Sequence, residues 1–200
     1  MFIQVINAKV GDADGLNRQI ERWHTDIRPG AHGFLGSTGG ITEDGRLVVM
    51  ARFESEEAAR RNSDRPEQGE WWAETEKMLT DVEFKDSVEV VTMGRGGSDD
   101  AGFVQVMRGR VIDKAKMDEL RGRMSEMDEA MRSHRPDVIG DVVAVHADGS
   151  YTDAVYFTSE AEARAGESKE MSADMQAMFE EFMGAFEIDD YLDLKEPDLR

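Results

Sequence analysis

The chain has 200 residues, and its 43 aspartates and glutamates against 24 lysines and arginines give a formal net charge of −19. Nucleic-acid-binding proteins present a basic stripe to phosphates, and anionic membranes repel acidic chains, so both partner classes are excluded. The sequence has no cysteine, which excludes disulfides and thiolate metal sites. It shows neither a signal-peptide pattern nor a long apolar segment, which predicts a cytoplasmic acidic protein.

The first half of the chain predicts the element order β-α-β-β-α-β. Phe2 to Val10 is rich in β-branched and aromatic residues, which favours a strand. Apolar residues at helical spacing follow, and this helix ends at Arg28-Pro29-Gly30. Two strands then flank the hairpin signal Asp44-Gly45, since both central residues of that turn need positive φ. Ser55 caps a second helix, and residues 82–93 form the fourth strand.

The second helix is expected to be interrupted near Asn62-Ser63. Asp64 and Glu67 have the spacing of a capping box, with Pro66 in the first turn, so a new helical piece is predicted to start there.

The second half of the chain repeats the first. Phe2-Ile3-Gln4-Val5-Ile6 returns as Phe103-Val104-Gln105-Val106-Met107, and Asp44-Gly45 returns as Asp148-Gly149. A period of roughly one hundred residues is the size of a small domain rather than of a solenoid unit. The sequence therefore predicts two repeats, residues 1–93 and 103–200, joined by a glycine-rich linker at 94–102. A single long helix is predicted over residues 113–133 of the second repeat.

The predicted fold class is α+β, with two tandem ferredoxin-like βαββαβ repeats. The two helices of such a unit cover one face of its sheet and leave the other face bare. We therefore expect the two repeats to pack sheet to sheet, as an intramolecular version of a dimeric α+β barrel.

Three motifs carry a family resemblance: Gly33-Phe34-Leu35-Gly36 entering the second strand, Asp44-Gly45 at the hairpin, and Phe53-Glu54-Ser55-Glu56-Glu57-Ala58 leaving the third strand. With them the chain resembles the antibiotic biosynthesis monooxygenase-like (ABM-like) group of the dimeric α+β barrel superfamily. The resemblance implies a pocket between sheet and helices for aromatic polyketides, quinols, haem or other small molecules. Some members oxidise aromatic substrates with oxygen and no cofactor, so none is expected here.

The resemblance also marks individual positions. Quinone-forming members have an asparagine, an aromatic residue and a tyrosine at the positions of Val49, Phe53 and Ala59. This chain keeps only the aromatic residue, as Phe53. In haem-degrading members, Asn7 and Trp71 or Trp72 match an asparagine and a tryptophan. No histidine lies between His32 and His134, so the iron-binding histidine of those members is missing.

Five side chains are candidates for a ligand site. Gln4 and Gln105 stand at equivalent positions on apolar strand faces, and a buried amide needs partners. They either line a pocket or bond across the pseudo-twofold axis or to the backbone. Trp71 and Trp72 point about 100° apart on a helix, so they form either an aromatic wall or a helix-to-sheet contact. Phe53 ends the third strand.

His24 is the candidate base. It lies with His32 beside the turn at residues 28–30, where it either takes a proton from a phenol or is an ordinary surface residue. His134 holds the corresponding place in the second repeat, and His146 is expected to be exposed. No two histidines have metal-ligand spacing, so no metal site is predicted from them, and a site made of one histidine and carboxylates stays open.

Methionines recur at helical spacing in the helices of the second repeat, where they either fill a core or form an adaptable pocket wall: Met117, Met124, Met127, Met131, Met171, Met175 and Met178.

The sequence favours two functions, and a third, a haem-handling protein with an iron ligand from His24 or His32, also stays open. The first is an ABM-like protein that binds a hydrophobic or aromatic small molecule near Asn7, His24, Trp71 and Trp72 and oxidises it without a cofactor, with the second repeat as a structural element. The alternative is a non-enzymatic, self-assembling α+β barrel protein, with a second copy of the chain as its partner.

Overall fold

The computed structural model describes residues 1–200, which form two compact units. The first unit contains Met1–Val88 and Asp198–Arg200, and the second contains Glu89–Pro197. The repeat boundaries given above describe the sequence duplication and stay a prediction. No helix in the structure combines the length and the apolar character needed to cross a membrane.

The first unit contains, in chain order, β1 (Phe2–Val10), α1 (Ala13–Arg22), β2 (Phe34–Ile41), β3 (Arg46–Phe53), α2 (Glu56–Ser63), α3 (Pro66–Thr75) and the first part of β4 (Leu79–Gly94). Its strand order is β4-β1-β3-β2-β9, where β9 is the short strand Asp198–Leu199. β1 pairs antiparallel with both β3 and β4.

The second unit contains the end of β4, then β5 (Phe103–Val111), α4 (Lys114–Gly122), α5 (Met124–His134), β6 (Val138–His146), β7 (Ser150–Phe157), α6 (Glu160–Glu167), α7 (Ala173–Met183) and β8 (Phe186–Leu194). Its strands lie in the order β8-β5-β7-β6, followed by the end of β4. Both units thus have the β-α-β-β-α-β order, and the predicted α+β fold of two ferredoxin-like halves is confirmed.

Local signals in the sequence explain most element boundaries. Gly45 and Gly149 have φ of 80° and 81° in the two predicted hairpins, but Asp44 and Asp148 do not have positive φ, so the turn type in which both central residues need it does not form. The Ser55 side chain accepts the Ala58 N–H and caps α2, and Ser159 does the same for Glu162 in α6.

Two predicted helix boundaries are wrong. The Asp64–Glu67 capping box does not form, because the residue before a proline avoids the helical region and Arg65 is extended, with ψ of 133°. Arg65 therefore stands before α3 without a side-chain cap, and Asp64 ends α2. The predicted long helix over 113–133 is two helices, α4 and α5, because it breaks after Gly122, a poor helix former, at Arg123.

Candidate functional site

The first unit holds a cavity between its sheet and its helices, with a volume of about 940 Å³ that includes the part open to solvent. Gln4, Ile6, Gly39 and Val49 line it from the strands, and α1, α3 and the segment after α1 close the other side. This space is open to solvent on one side, so a small molecule can enter it from outside.

Aromatic rings form much of the cavity wall. Trp23, Trp71, Trp72, Phe34 and Phe53 line it, and these include all three tryptophans of the chain. Phe34 meets Trp23 and Phe53 edge to face, with ring centroids 4.8 and 5.5 Å apart. A wall of this kind suits a flat, apolar ligand.

Hydrogen bonds fix two of these indoles. Trp71 Nε1 donates to the Gln19 carbonyl oxygen at 2.8 Å, and Trp23 Nε1 donates to Gln68 Oε1 at 2.8 Å. Because their polar atoms are already paired, the two rings offer the cavity mainly apolar surface.

His24 lies in a π-helical turn, Trp23–Ile27, that directly follows α1. The turn is closed by the Arg28 N–H, which donates to the carbonyl of Trp23, five residues earlier. Such turns are rare and occur often at functional sites. Here two adjacent residues, Trp23 and His24, both line the cavity.

The His24 ring is held by a carboxylate. Its Nε2 lies 3.1 Å from Asp198 Oδ2, and its side chain is only 9% exposed. A carboxylate can only accept, so we assign the proton of the neutral ring to Nε2. Nδ1 is buried without a partner and then carries the free lone pair. This is the arrangement of a general base with an orienting acid.

Asp198 reaches this position from the far end of the sequence. β9 pairs with β2, placing Asp198 opposite Gly39, and the Ser37 N–H donates to the Arg200 carbonyl at 2.8 Å. The Arg200 side chain donates to Asp198 Oδ1 at 2.8 Å and to Glu21 at 2.9 Å. These contacts hold the carboxylate in place and balance its charge.

Sequence reasoning missed Asp198. It lies 174 residues from His24, on a two-residue strand that follows β8, the last strand predicted from the sequence. No periodicity predicts a strand that short.

The two glutamines have the same kind of partner in both units. Gln4 Nε2 donates to Asp86 Oδ1 at 3.1 Å, and Gln105 Nε2 donates to Asp193 Oδ1 at 2.9 Å. The partner is therefore a carboxylate on the neighbouring strand. Gln4 also lines the cavity of the first unit, whereas Gln105 belongs to the second unit.

The structure brings most of the candidate residues together. Gln4, His24, Phe53, Trp71 and Trp72 all line the one cavity. Asn7 does not line it: successive strand residues face opposite sides, and Asn7 is buried on the side of β1 opposite to Gln4 and Ile6.

The other histidines lie outside this cavity. His32 is exposed. His146 is 4% exposed, which corrects the expectation of an exposed residue, and its Nε2 lies 3.2 Å from Thr152 Oγ1.

Three solved structures resemble this chain over nearly its whole length. A candidate monooxygenase from Lactobacillus acidophilus has a TM-score of 0.70 at 11% identity, covering 100% of this chain and 99% of its own. A candidate monooxygenase from Fusobacterium nucleatum has a TM-score of 0.74 at 8% identity, covering 100% and 93%. An anthrone oxidase-like protein has a TM-score of 0.65 at 11% identity, covering 98% and 94%.

No protein family model matches the sequence, and no curated protein matches it. At these low identities the structural likeness establishes a shared fold and leaves the chemistry to be argued from the residues of this chain.

Proposed function

Because the chain has the fold of the ABM-like dimeric α+β barrel as a tandem duplication, we propose that its first unit binds a small aromatic molecule and oxidises it with dioxygen, without a bound cofactor. The observation that carries the proposal is the partly buried His24–Asp198 pair in the wall of an aromatic cavity. The solved structures of the same fold that are described as candidate monooxygenases and as anthrone oxidase-like support it.

The proposed first step is a proton transfer. The aromatic substrate lies against Trp23, Trp71 and Phe34, and His24 Nδ1 takes a proton from its phenol or from an activated methylene group. Asp198 stabilises the imidazolium that forms, since its carboxylate already accepts the Nε2 proton.

The electron-rich anion that remains is oxidised by dioxygen. When a methylene group becomes a carbonyl, one oxygen atom of O₂ enters the product and the other leaves as water with the two hydrogens removed from the substrate. The protein supplies the base, the apolar surroundings and the orientation. Gln4 and Ser37 place polar groups in the lining that can orient a substrate oxygen.

The test uses 1,8-dihydroxyanthrone, a tricyclic phenol with one activated methylene group. Its binding is followed by quenching of the tryptophan fluorescence, because every tryptophan lines the cavity. Turnover is measured as oxygen consumption above the uncatalysed rate. H24N is expected to lower kcat by at least ~100-fold, the usual range for loss of a general base, and to leave Kd nearly unchanged.

The matched control is H32N, the same substitution at an exposed histidine outside the cavity. It is expected to retain full activity. Equal rates for H24N and the unmodified protein would exclude His24 as the base. Absence of quenching by any aromatic probe would exclude the cavity as a binding site.

The rival function, self-assembly without catalysis, is favoured by one observation. Phe84 and Val88 of β4 are 47% and 68% exposed, and Val82, in the β-bulge that precedes them, is 36% exposed. Exposed apolar rows on a strand are typical association surfaces. Light scattering over a hundredfold concentration range tests it, and a constant monomer mass would contradict it.

A further inference from the structure

The second unit has a cavity of its own, with a volume of about 500 Å³ that includes the part open to solvent. Methionine and phenylalanine side chains make up half of its lining: Met93, Met117, Met124, Met127, Phe182 and Phe186. It contains none of the tryptophans and no histidine. Thioethers and aromatic rings are polarisable, and methionines adapt their shape to what they contact.

One buried carboxyl lines this cavity on its sheet side, and a second lies next to the lining residues on the same face of the sheet. Asp141 of β6 lines it, is 6% exposed, and accepts the Met93 N–H at 2.9 Å through Oδ1. Asp153 of β7 is also 6% exposed, and its Oδ1 is buried without any partner. Asp153 stands opposite Val143, a lining residue, so both carboxyls are on the cavity face of the sheet.

The fold itself does not need these carboxyls. The strand register makes Ser37 and Val49 the equivalents of Asp141 and Asp153 in the first unit. Burial raises the pKa of both groups, that of Asp141 to about 6. The negative charge of a neighbouring aspartate raises each pKa further. Buried carboxyls that weaken the fold and sit at a cavity are characteristic of functional sites.

We propose that the cavity of the second unit binds an organic cation, a primary ammonium group on an apolar tail, and that Asp153 and Asp141 accept hydrogen bonds from the ammonium. An ammonium supplies the donor that Asp153 Oδ1 lacks. The phenylalanine faces and methionine sulfurs accommodate the tail and favour a neighbouring positive charge.

A metal ion does not fit this cavity. Mg²⁺ and Ca²⁺ take six or more oxygen ligands, and no group of three or more acidic or histidine side chains in the structure could hold a metal. Arg121 also lines the cavity, but its guanidinium pairs with Glu89. Its positive charge is therefore already balanced.

The probes are 4-phenylbutylamine, its neutral analogue 4-phenylbutan-1-ol and its anionic analogue 4-phenylbutyrate, which share one apolar tail. Binding is measured by calorimetry and located by NMR of methyl-labelled methionines. The amine is expected to bind at least tenfold more tightly than either analogue and to shift the signals of Met117, Met124 and Met127. D153N is expected to weaken amine binding at least tenfold.

The matched control is D174N, which removes the same charge from an exposed position on α7 of the same unit. It is expected to bind the amine normally. Equal affinity for amine and alcohol, or normal amine binding by D153N, would overturn the proposal. The result does not depend on the oxidation proposed for the first unit, because H24N is expected to bind the amine as well as the unmodified protein does.

Discussion

The two units share one framework and differ in what lines the space beneath their helices. The first cavity has five aromatic rings and a His24–Asp198 pair, and the second has methionines and the buried Asp141, with Asp153 beside it on the same sheet face. Gly39 stands in the first unit where Val143 stands in the second, so the sheet leaves more room at this point of the first cavity. The duplication thus kept the fold while the lining diverged, and function must be sought in the lining.

The shared framework is visible in matched polar contacts. Asp12 caps α1 and Asp113 caps α4, each accepting an N–H three residues on at 2.9 Å. The Gln4–Asp86 and Gln105–Asp193 bonds are a second such pair. Contacts found in both units are best explained by folding, whereas contacts in one unit alone are candidates for function.

The strongest test of the comparison moves the carboxyl of the second unit into the first. V49D places an acid where Asp153 stands and is expected to lower the free energy of unfolding at pH 7.5 by ~1–3 kcal/mol, because the half-buried charge enters an apolar wall without a partner. V49N has nearly the same shape without the charge and is the control. Chemical denaturation measures both, and the difference should shrink at pH 4.5, where the acid is protonated. An equal cost for both variants would contradict this account.

Removal of a buried carboxyl charge from the second unit, by D141N, is expected to stabilise the protein. Burial raises the pKa of Asp141 from 3.8 to about 6, so the folded state holds this proton more tightly than the unfolded chain does. The unfolding free energy therefore falls as pH rises from about 4 to 6 and stays low above that window. D141N should flatten this fall and add up to ~3 kcal/mol at pH 7.5, and an asparagine oxygen can still accept the Met93 N–H.

Denaturant titrations from pH 4 to 8 measure this effect, and an exposed carboxyl changed in the same way, D174N, is the control. A D141N protein that is less stable than the unmodified chain at pH 7.5 would show that the carboxylate is needed by the fold.

The contrast also explains how much could be predicted from the sequence. The repeat, the hairpins at Gly45 and Gly149 and the cap at Ser55 depend on local signals, and these predictions are confirmed. The meeting of His24 with Trp71 and Trp72 followed from helices that share one side of a sheet.

Asp198, Asp141 and Asp153 could not be found in the same way. Asp198 acts through a contact between distant parts of the chain, and the other two resemble ordinary polar residues of an alternating strand until their burial is known. Asn7 is different, because it is an odd number of residues from Gln4 along β1, and successive strand residues face opposite sides. The sequence alone therefore places it on the face opposite to Gln4.

The next test concerns Asp198, the carboxylate that pairs with His24 in the first unit. D198N keeps an acceptor for the His24 Nε2 proton but removes the negative charge, so kcat for oxygen consumption is expected to fall about tenfold with little change in Kd. E196Q, an exposed neighbour two residues earlier, is the control. A D198N protein as active as E196Q would mean that His24 needs no charged partner.

The smallest expected effects concern the contact that both units share. Q4A and Q105A each remove one amide–carboxylate hydrogen bond, and each is expected to lower the free energy of unfolding by ~0.5–1.5 kcal/mol. Gln4 lines the aromatic cavity and Gln105 does not, so only Q4A should also weaken the quenching of tryptophan fluorescence by an aromatic ligand. If Q105A weakened it equally, the loss would arise from the common framework, and Gln4 would have no separate role at the cavity wall.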